Sequence, residues 1–241
     1  MKVFAVNASP MMDKGSTAAI LAPFLEGMEE AGAEIHVSYT KKLDIKPCQG
    51  EFSCQMKTPG KCFQKDDMQV LLPQLAEADV QVFATPVYVD GMAAPLKNLL
   101  DRMVPLGCPS FELRDGHCRH PLRDPKKGVK VVLVSTCGFW ELDNFDPLLA
   151  HLRAFCRNFD REFAGALLRP HGPVFKAMAE KGAPLSDVIQ AAKDAGRQLA
   201  ADGAMRSETL AVVSRPLISL EDYLRGANQR RLVAKTGATK G

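Results

Sequence analysis

The run Val3-Phe-Ala-Val-Asn-Ala-Ser-Pro-Met-Met-Asp-Lys-Gly-Ser-Thr17 constrains the fold more than any other stretch of the chain. Val3 to Val6 form a short apolar run with strand character, Ser9, Pro10 and Gly15 break it, and Ser16 and Thr17 open a helix. From Ser16 to Ala31 the residues Ala19, Ile20, Phe24, Leu25 and Met28 recur at helical spacing, and Gly32 stops the pattern before a second strand at Glu34 to Tyr39. Strand, helix and strand at this spacing form a βαβ unit, which requires a right-handed crossover and a parallel sheet. The first turn of a helix carries unpaired N–H groups and the positive end of the helix dipole, so hydroxyl and glycine residues before it suit a phosphate. The loop lacks the Lys-Ser/Thr ending of a nucleoside-triphosphate loop and the G-x-G-x-x-G spacing of a dinucleotide turn, and a phosphomonoester held by hydroxyls and backbone N–H groups fits it better. The alternative is an ordinary strand-to-helix turn capped by Ser16.

The alternation continues along the chain. Asp66 and Asp67 read as the cap and first turn of a helix to Ala76, Asp79 to Thr85 as a third strand, and Ala93 to Met103 as a helix. Val129 to Ser135 is the most strand-like run, apolar except for Lys130, and is followed by a helix from Phe145 to Phe159. Phe163 to Leu168 is the fifth strand and Pro184 to Ala201 the fifth helix. Pro105 to Lys127 reads as irregular, and Lys235 to Gly241 as a frayed tail. This pattern predicts an α/β fold, a doubly wound five-stranded parallel sheet over residues 1–204, with a C-terminal extension and tail over 205–241. Ligands of such sheets bind outside the carboxyl ends of the strands, where strand order reverses. Three loops leave strand ends here: Ser9 to Thr17, Thr85-Pro-Val-Tyr-Val-Asp-Gly91, and Thr136-Cys-Gly-Phe-Trp140. They are expected to converge on one site.

At 241 residues and 46% hydrophobic content, the chain can build one sizeable core. Its net charge of +3 comes from 31 basic and 28 acidic residues spread along the sequence, with no basic stripe interleaved with aromatics. That argues against a nucleic-acid partner. No apolar run approaches the roughly 18 residues of a membrane span, and the N-terminus enters a strand directly, so the expected location is cytoplasmic. Seven cysteines, an odd number, suit reduced thiols or metal ligands better than a disulfide framework.

These motifs resemble those of the flavodoxin-like NAD(P)H-dependent FMN reductases, and within them the iron–sulfur flavoproteins, over roughly Met1 to Leu168. Ser9-Pro-Met-Met-Asp-Lys-Gly-Ser-Thr17 is similar to the family's phosphate loop, with Met11 in place of its usual Arg. Ala84-Thr-Pro-Val-Tyr-Val-Asp-Gly91, continued by Ala94-Pro-Leu-Lys-Asn-Leu-Leu-Asp-Arg102, resembles the loop that lies against the flavin ring. The resemblance implies FMN as cofactor, its phosphate near Ser9, Met11, Ser16 and Thr17. The ring would lie against Pro86, Val87 and Tyr88, with Asp90 and Gly91 at its polar edge and Thr136, Cys137 and Gly138 completing the pocket. It implies NAD(P)H as donor, a quinone, flavin or other small acceptor, and a homodimer or homotetramer. The residues leave other roles open: Met11 as a core filler, Tyr88 as a core aromatic, Cys137 as a small buried hydrophobe, Phe139 and Trp140 as a substrate wall or as packing under the next helix. Hydride chemistry belongs to the flavin, so no catalytic acid or base is assigned. A single-electron carrier serving a redox protein is the alternative function, and a flavin-free interaction protein a third.

The loop over 41–67 contains Cys48, Cys54 and Cys62, and resembles the segment that holds a 4Fe–4S cluster in the iron–sulfur flavoproteins. Such a cluster takes four thiolates, and Glu51 stands where the compact arrangement has its middle cysteine. Cys108, Cys118 and Cys137 lie far away in sequence. Three readings compete: a cluster completed by Glu51 or a distant cysteine, a zinc site, and packed thiols without metal, which the ligand count places first. His117-Cys-Arg-His120 has metal-capable side chains but no paired second group. His171 reads as a lone loop histidine packed at a surface or interface.

Overall fold

The computed structural model describes residues 1–237, with side chains through residue 229. Its strands are β1 (Lys2–Asn7), β2 (Glu34–Tyr39), β3 (Val80–Tyr88), β4 (Gly91–Met92), β5 (Glu112–Arg114), β6 (His117–Arg119), β7 (Lys130–Thr136) and β8 (Glu162–Arg169). Its helices are α1 (Ser16–Glu30), α2 (Ser53–Met56), α3 (Met68–Glu77), α4 (Ala94–Asp101), α5 (Asp146–Asn158), α6 (Gly172–Glu180), α7 (Ser186–Asp202), α8 (Ser207–Ser214) and α9 (Leu220–Gly237).

Side chains alternate across each strand, and the two faces of the sheet carry separate cores. Phe4, Val6, Phe83, Val131 and Leu133 pack with buried residues of α3, α4 and α5. Val3, Ala5, Val82, Ala84, Val132 and Val134 pack with those of α1, α6 and α7. Val213 of α8 is buried in this second core. Helices therefore cover both faces, which is why β3 and β7 read as nearly continuous apolar runs. The parallel strands run in the order β2-β1-β3-β7-β8, with β4 antiparallel to β3. This is the flavodoxin-like doubly wound arrangement, and strand order reverses between β1 and β3.

Five regions differ from the sequence expectation. β3 runs on through Pro86, Val87 and Tyr88, where a loop was expected. Pro86 still pairs with Thr136 of β7, and Val87 and Tyr88 form a hairpin with Met92 and Gly91. The region 105–127 contains the β5–β6 hairpin, whose turn residues Asp115 and Gly116 both have positive φ. Short helix α2 interrupts the cysteine loop, and α6 forms in a segment without an expected helix. The backbone of the expected tail Lys235–Gly241 is helical to Gly237, and residues 238–241 lie outside the described residues.

Candidate functional site

Three loops leave the carboxyl ends of neighbouring strands β1, β3 and β7, and hydrogen bonds fix their bases. Ala8 N–H donates to Ala84 O at 2.8 Å, tying the first loop to β3. Ser135 Oγ donates to Thr85 O at 2.7 Å, and Thr85 Oγ1 accepts from Ala93 N–H at 2.9 Å. Thr17 and Thr136 share a hydroxyl–hydroxyl bond of 2.9 Å, joining the start of α1 to the end of β7. Both residues are buried.

Ser9 is 5% exposed, its N–H donates to Asn7 Oδ1 at 2.9 Å, and its Oγ accepts from Met11 N–H at 3.3 Å. Gly15 caps α1 and Ser16 is the first helical residue, so the capping role considered for Ser16 does not occur. No side chain caps this helix, and no acidic residue lies in its first turn. Its leading N–H groups and dipole are thus uncompensated by the protein, as an anion site requires. A Cβ on Gly15 would stand 2.7 Å from Ser9 Oγ, so glycine keeps the loop closed over Ser9. Met11 is 58% exposed, which overturns its reading as a core filler. Lys41 Nζ donates to Pro10 O at 3.0 Å from the adjoining end of β2.

In the second loop Pro86 and Val87 are half-buried and Tyr88 is exposed, so Tyr88 is no core aromatic. Val89 and Asp90 form a two-residue turn with φ of 47° and 61°. A β-branched residue in this left-handed region is strained, and Val89 is 98% exposed, with little packing to offset the cost. Val89→Asn is therefore expected to raise stability by about 0.5–1 kcal/mol in a chemical melt. A loss of stability would contradict the strain. A concavity of about 890 Å³ adjoins this turn and reaches the cysteine loop, lined in part by Leu43, Ile45, Pro47, Tyr88 and Met92.

In the third loop Cys137 is 3% exposed, and burial pushes its thiol above the ordinary value. It packs as a small hydrophobe, with Sγ 3.4 Å from Phe139 O. Gly138 and Phe139 are exposed. A fourth loop, the one carrying His171, which the sequence did not join to this group, closes it from the end of β8. Its Gly172 N–H donates to Cys137 O at 2.9 Å, and a Cβ there would meet Thr136 Cβ at 3.0 Å and Ser16 Cβ at 3.3 Å. His171, expected at a surface or interface, is fully buried. Burial and the Arg169 guanidinium push its imidazole down to about 4. Its Nε2 accepts from Leu217 N–H at 3.2 Å.

The cysteine loop is pinned from below. Arg102 and Asp66, with side chains 1% and 0% exposed, form a two-pronged pair at 2.5 and 3.1 Å. Arg102 also donates to Lys46 O at 2.6 Å and lies 3.5 Å from Cys62 Sγ. One turn earlier on α4, Asn98 Nδ2 donates to Ile45 O at 2.5 Å. Besides Arg102, the Asp66 carboxylate accepts from Lys46 N–H at 3.0 Å and from Met68 N–H at 3.1 Å, at the start of α3. Burial pushes its carboxyl up, but Arg102 and the N–H groups of Lys46 and Met68 outweigh this and hold it below the ordinary value. Arg102→Met is expected to cost about 3–5 kcal/mol in urea unfolding, because it strands a buried carboxylate. A change under about 1 kcal/mol would contradict the reading. Because the folded pKa is depressed, the pair's contribution is present above the unfolded value near 4 and is lost as pH falls through the folded one.

Glu51 is committed elsewhere. Its carboxylate accepts from Ser53 Oγ at 2.5 Å and from Ser53 N–H at 3.1 Å, at the start of α2. Cys54 is buried and Cys48 exposed. Burial, then neighbouring Cys62, Cys48 and Glu51, pushes the Cys54 thiol up. Among the described residues, no three His, Cys, Asp or Glu side chains are grouped to hold a metal ion. Three thiols and a carboxylate engaged by Ser53 do not match the four-thiolate donor set of a 4Fe–4S cluster. Cys118 sits on β6, and His120 bonds Ser110 O at 2.9 Å and packs on Phe111. No described helix is long and apolar enough to cross a membrane.

Strand order and loop placement define a flavodoxin-like α/β protein, with three loops gathered around the β1/β3 reversal. A family model described as NADPH-dependent FMN reductase matches residues 1–138, and the chain belongs to that family. Among sequence relatives, an iron–sulfur flavoprotein of Archaeoglobus fulgidus is 34% identical over 115 residues, 48% of this chain and 55% of that protein. One of Methanocaldococcus jannaschii is 35% identical over 115 residues, 48% of this chain and 58% of the relative. The chain thus spans little more than half the length of these curated relatives. Among solved structures, an FMN-dependent NADH-azoreductase of Bacillus anthracis in complex with FMN matches with a TM-score of 0.61 at 17% identity. That match covers 83% of this chain and 100% of the azoreductase. An NAD(P)H:quinone oxidoreductase of Methanothermobacter marburgensis gives 0.58 at 19% identity, covering 83% and 96%. These two likenesses establish the fold.

Proposed function

We propose that the chain is an FMN-dependent oxidoreductase that takes hydride from NAD(P)H and reduces a quinone, a flavin or another small acceptor. The observation that carries this is the uncapped, acid-free start of α1 lying beside two further loops at the strand-order reversal. Bound FMN supplies the hydride and electron transfer; the chain binds and orients it. Ser9, Ser16, Thr17 and the first N–H groups of α1 hold the phosphate, with Met11 lending contact without charge. Pro86, Val87 and Tyr88 lie against the ring, Asp90 and Gly91 border its polar edge, and Thr136, Cys137 and Gly138 close the pocket. The Thr17–Thr136 bond couples the phosphate end to the ring end, so the two subsites are held in fixed relation. The proposal includes a homodimer or homotetramer.

The names of the sequence relatives favour one competing reading, a carrier that passes single electrons to a redox protein. Steady oxidation of NADH or NADPH by the FMN-loaded protein with a simple quinone is the expected result. Flavin binding without nicotinamide oxidation would favour the carrier.

A further inference from the structure

The chain after α7 lies beyond the family match, yet it returns to the third loop and is fastened there at several points. Arg169, which pairs in register with Thr136 across β7 and β8, is fully buried. Its guanidinium donates to Val213 O at 2.7 Å, Ser214 O at 3.3 Å and Arg215 O at 2.6 Å. These are carbonyls at the end of α8, where a helix presents unpaired acceptors and negative dipole charge. His171 takes Leu217 N–H, as described above. Trp140 Nε1 donates to Ile218 O at 3.0 Å. Finally Tyr223, near the start of α9, donates its hydroxyl to Gly138 O at 2.6 Å.

The last bond has a geometric consequence. A trans peptide is planar, with its C=O and N–H pointing in opposite directions. Holding Gly138 C=O on Tyr223 therefore turns the Phe139 N–H away from the Tyr223 hydroxyl. Gly138 has open space around it and is exposed, so nothing in its own packing fixes this peptide. Other bonds fix the flanks: Phe139 O accepts from His171 N–H at 2.6 Å, and Cys137 O from Gly172 N–H. We infer that Tyr223 is a positioning residue for the cofactor site: it sets the Gly138–Phe139 peptide so that the Phe139 N–H is presented to the flavin ring. Arg169, His171 and Trp140 deliver the arm that carries it. The inference rests on the FMN reading, and predicts that cofactor binding and arm docking strengthen each other.

Tyr223→Phe in the full chain removes only the hydroxyl and keeps the ring that lies 6.4 Å from His171. FMN and riboflavin affinities, read by flavin fluorescence quenching, should both fall by the same factor of about three to ten, the net worth of one hydrogen bond. Two readouts separate positioning from general destabilisation. The absorption spectrum of bound FMN should shift, and amide exchange at residues 138–140 should accelerate in the cofactor-free variant. Unchanged affinity for both flavins together with an unchanged spectrum would overturn the inference, as would a loss confined to FMN, which would put the effect at the phosphate. A wild-type chain that binds no flavin would remove the FMN reading and this inference with it; wild-type binding with an indifferent variant would remove this inference alone.

Discussion

Ser16→Glu is expected to abolish FMN binding while leaving the fold intact. Ser16 is the first residue of α1, where a carboxylate meets the positive end of the dipole and stabilises the helix by about 0.3–1 kcal/mol. The same carboxylate occupies the phosphate position. Two like charges about 4 Å apart at an effective dielectric near 20 repel by about 4 kcal/mol, or about three decades of affinity. Riboflavin, which has no phosphate, should lose far less. Flavin fluorescence titrations of both ligands, with a thermal melt of the variant, read the outcome. Wild-type affinity for FMN in the variant would show that the phosphate lies elsewhere, and equal loss of both flavins with a lowered melting temperature would indicate damage to the loop.

The second large effect concerns iron. The anaerobically purified protein is expected to contain far less than four irons per chain, because the loop offers Cys48, Cys54 and Cys62 while Glu51 is held by Ser53. Carboxylate is a harder and poorer ligand for such a cluster than thiolate. Glu51→Cys supplies the missing thiol at the loss of an interaction at the start of α2, and should raise iron uptake on reconstitution. Iron and acid-labile sulfide assays decide it. Near-stoichiometric four-iron content in the unmodified chain would contradict the ligand count and move the function toward one-electron transfer between cluster and flavin.

Strands buried on both faces announced themselves as apolar runs, and the βαβ spacing at Val3 to Tyr39 required a parallel sheet, so the doubly wound fold was legible. The phosphate-loop candidate was legible because glycine and hydroxyl residues mark a tight strand-to-helix connection. The hairpin at Val89 and Asp90 was hidden because valine is a poor residue for a left-handed turn. At Asp115 and Gly116 the signal was present, since Asp-Gly favours a two-residue hairpin turn. Pro173 likewise could have announced α6, because proline suits the first turn of a helix. The burial of Arg169 had no signal at all. Arginine is usually exposed, and three of its partners here are backbone carbonyls more than 40 residues away, which carry no side-chain signature. The same holds for Tyr223, whose acceptor is a carbonyl of Gly138.

The most direct test of the account is the flavin content and flavin affinity of the purified protein. Extraction of a non-covalent yellow chromophore identified by mass as FMN, or saturable quenching of added FMN at about one per chain, is the predicted result. A colourless protein that leaves the fluorescence of added FMN unchanged would contradict it.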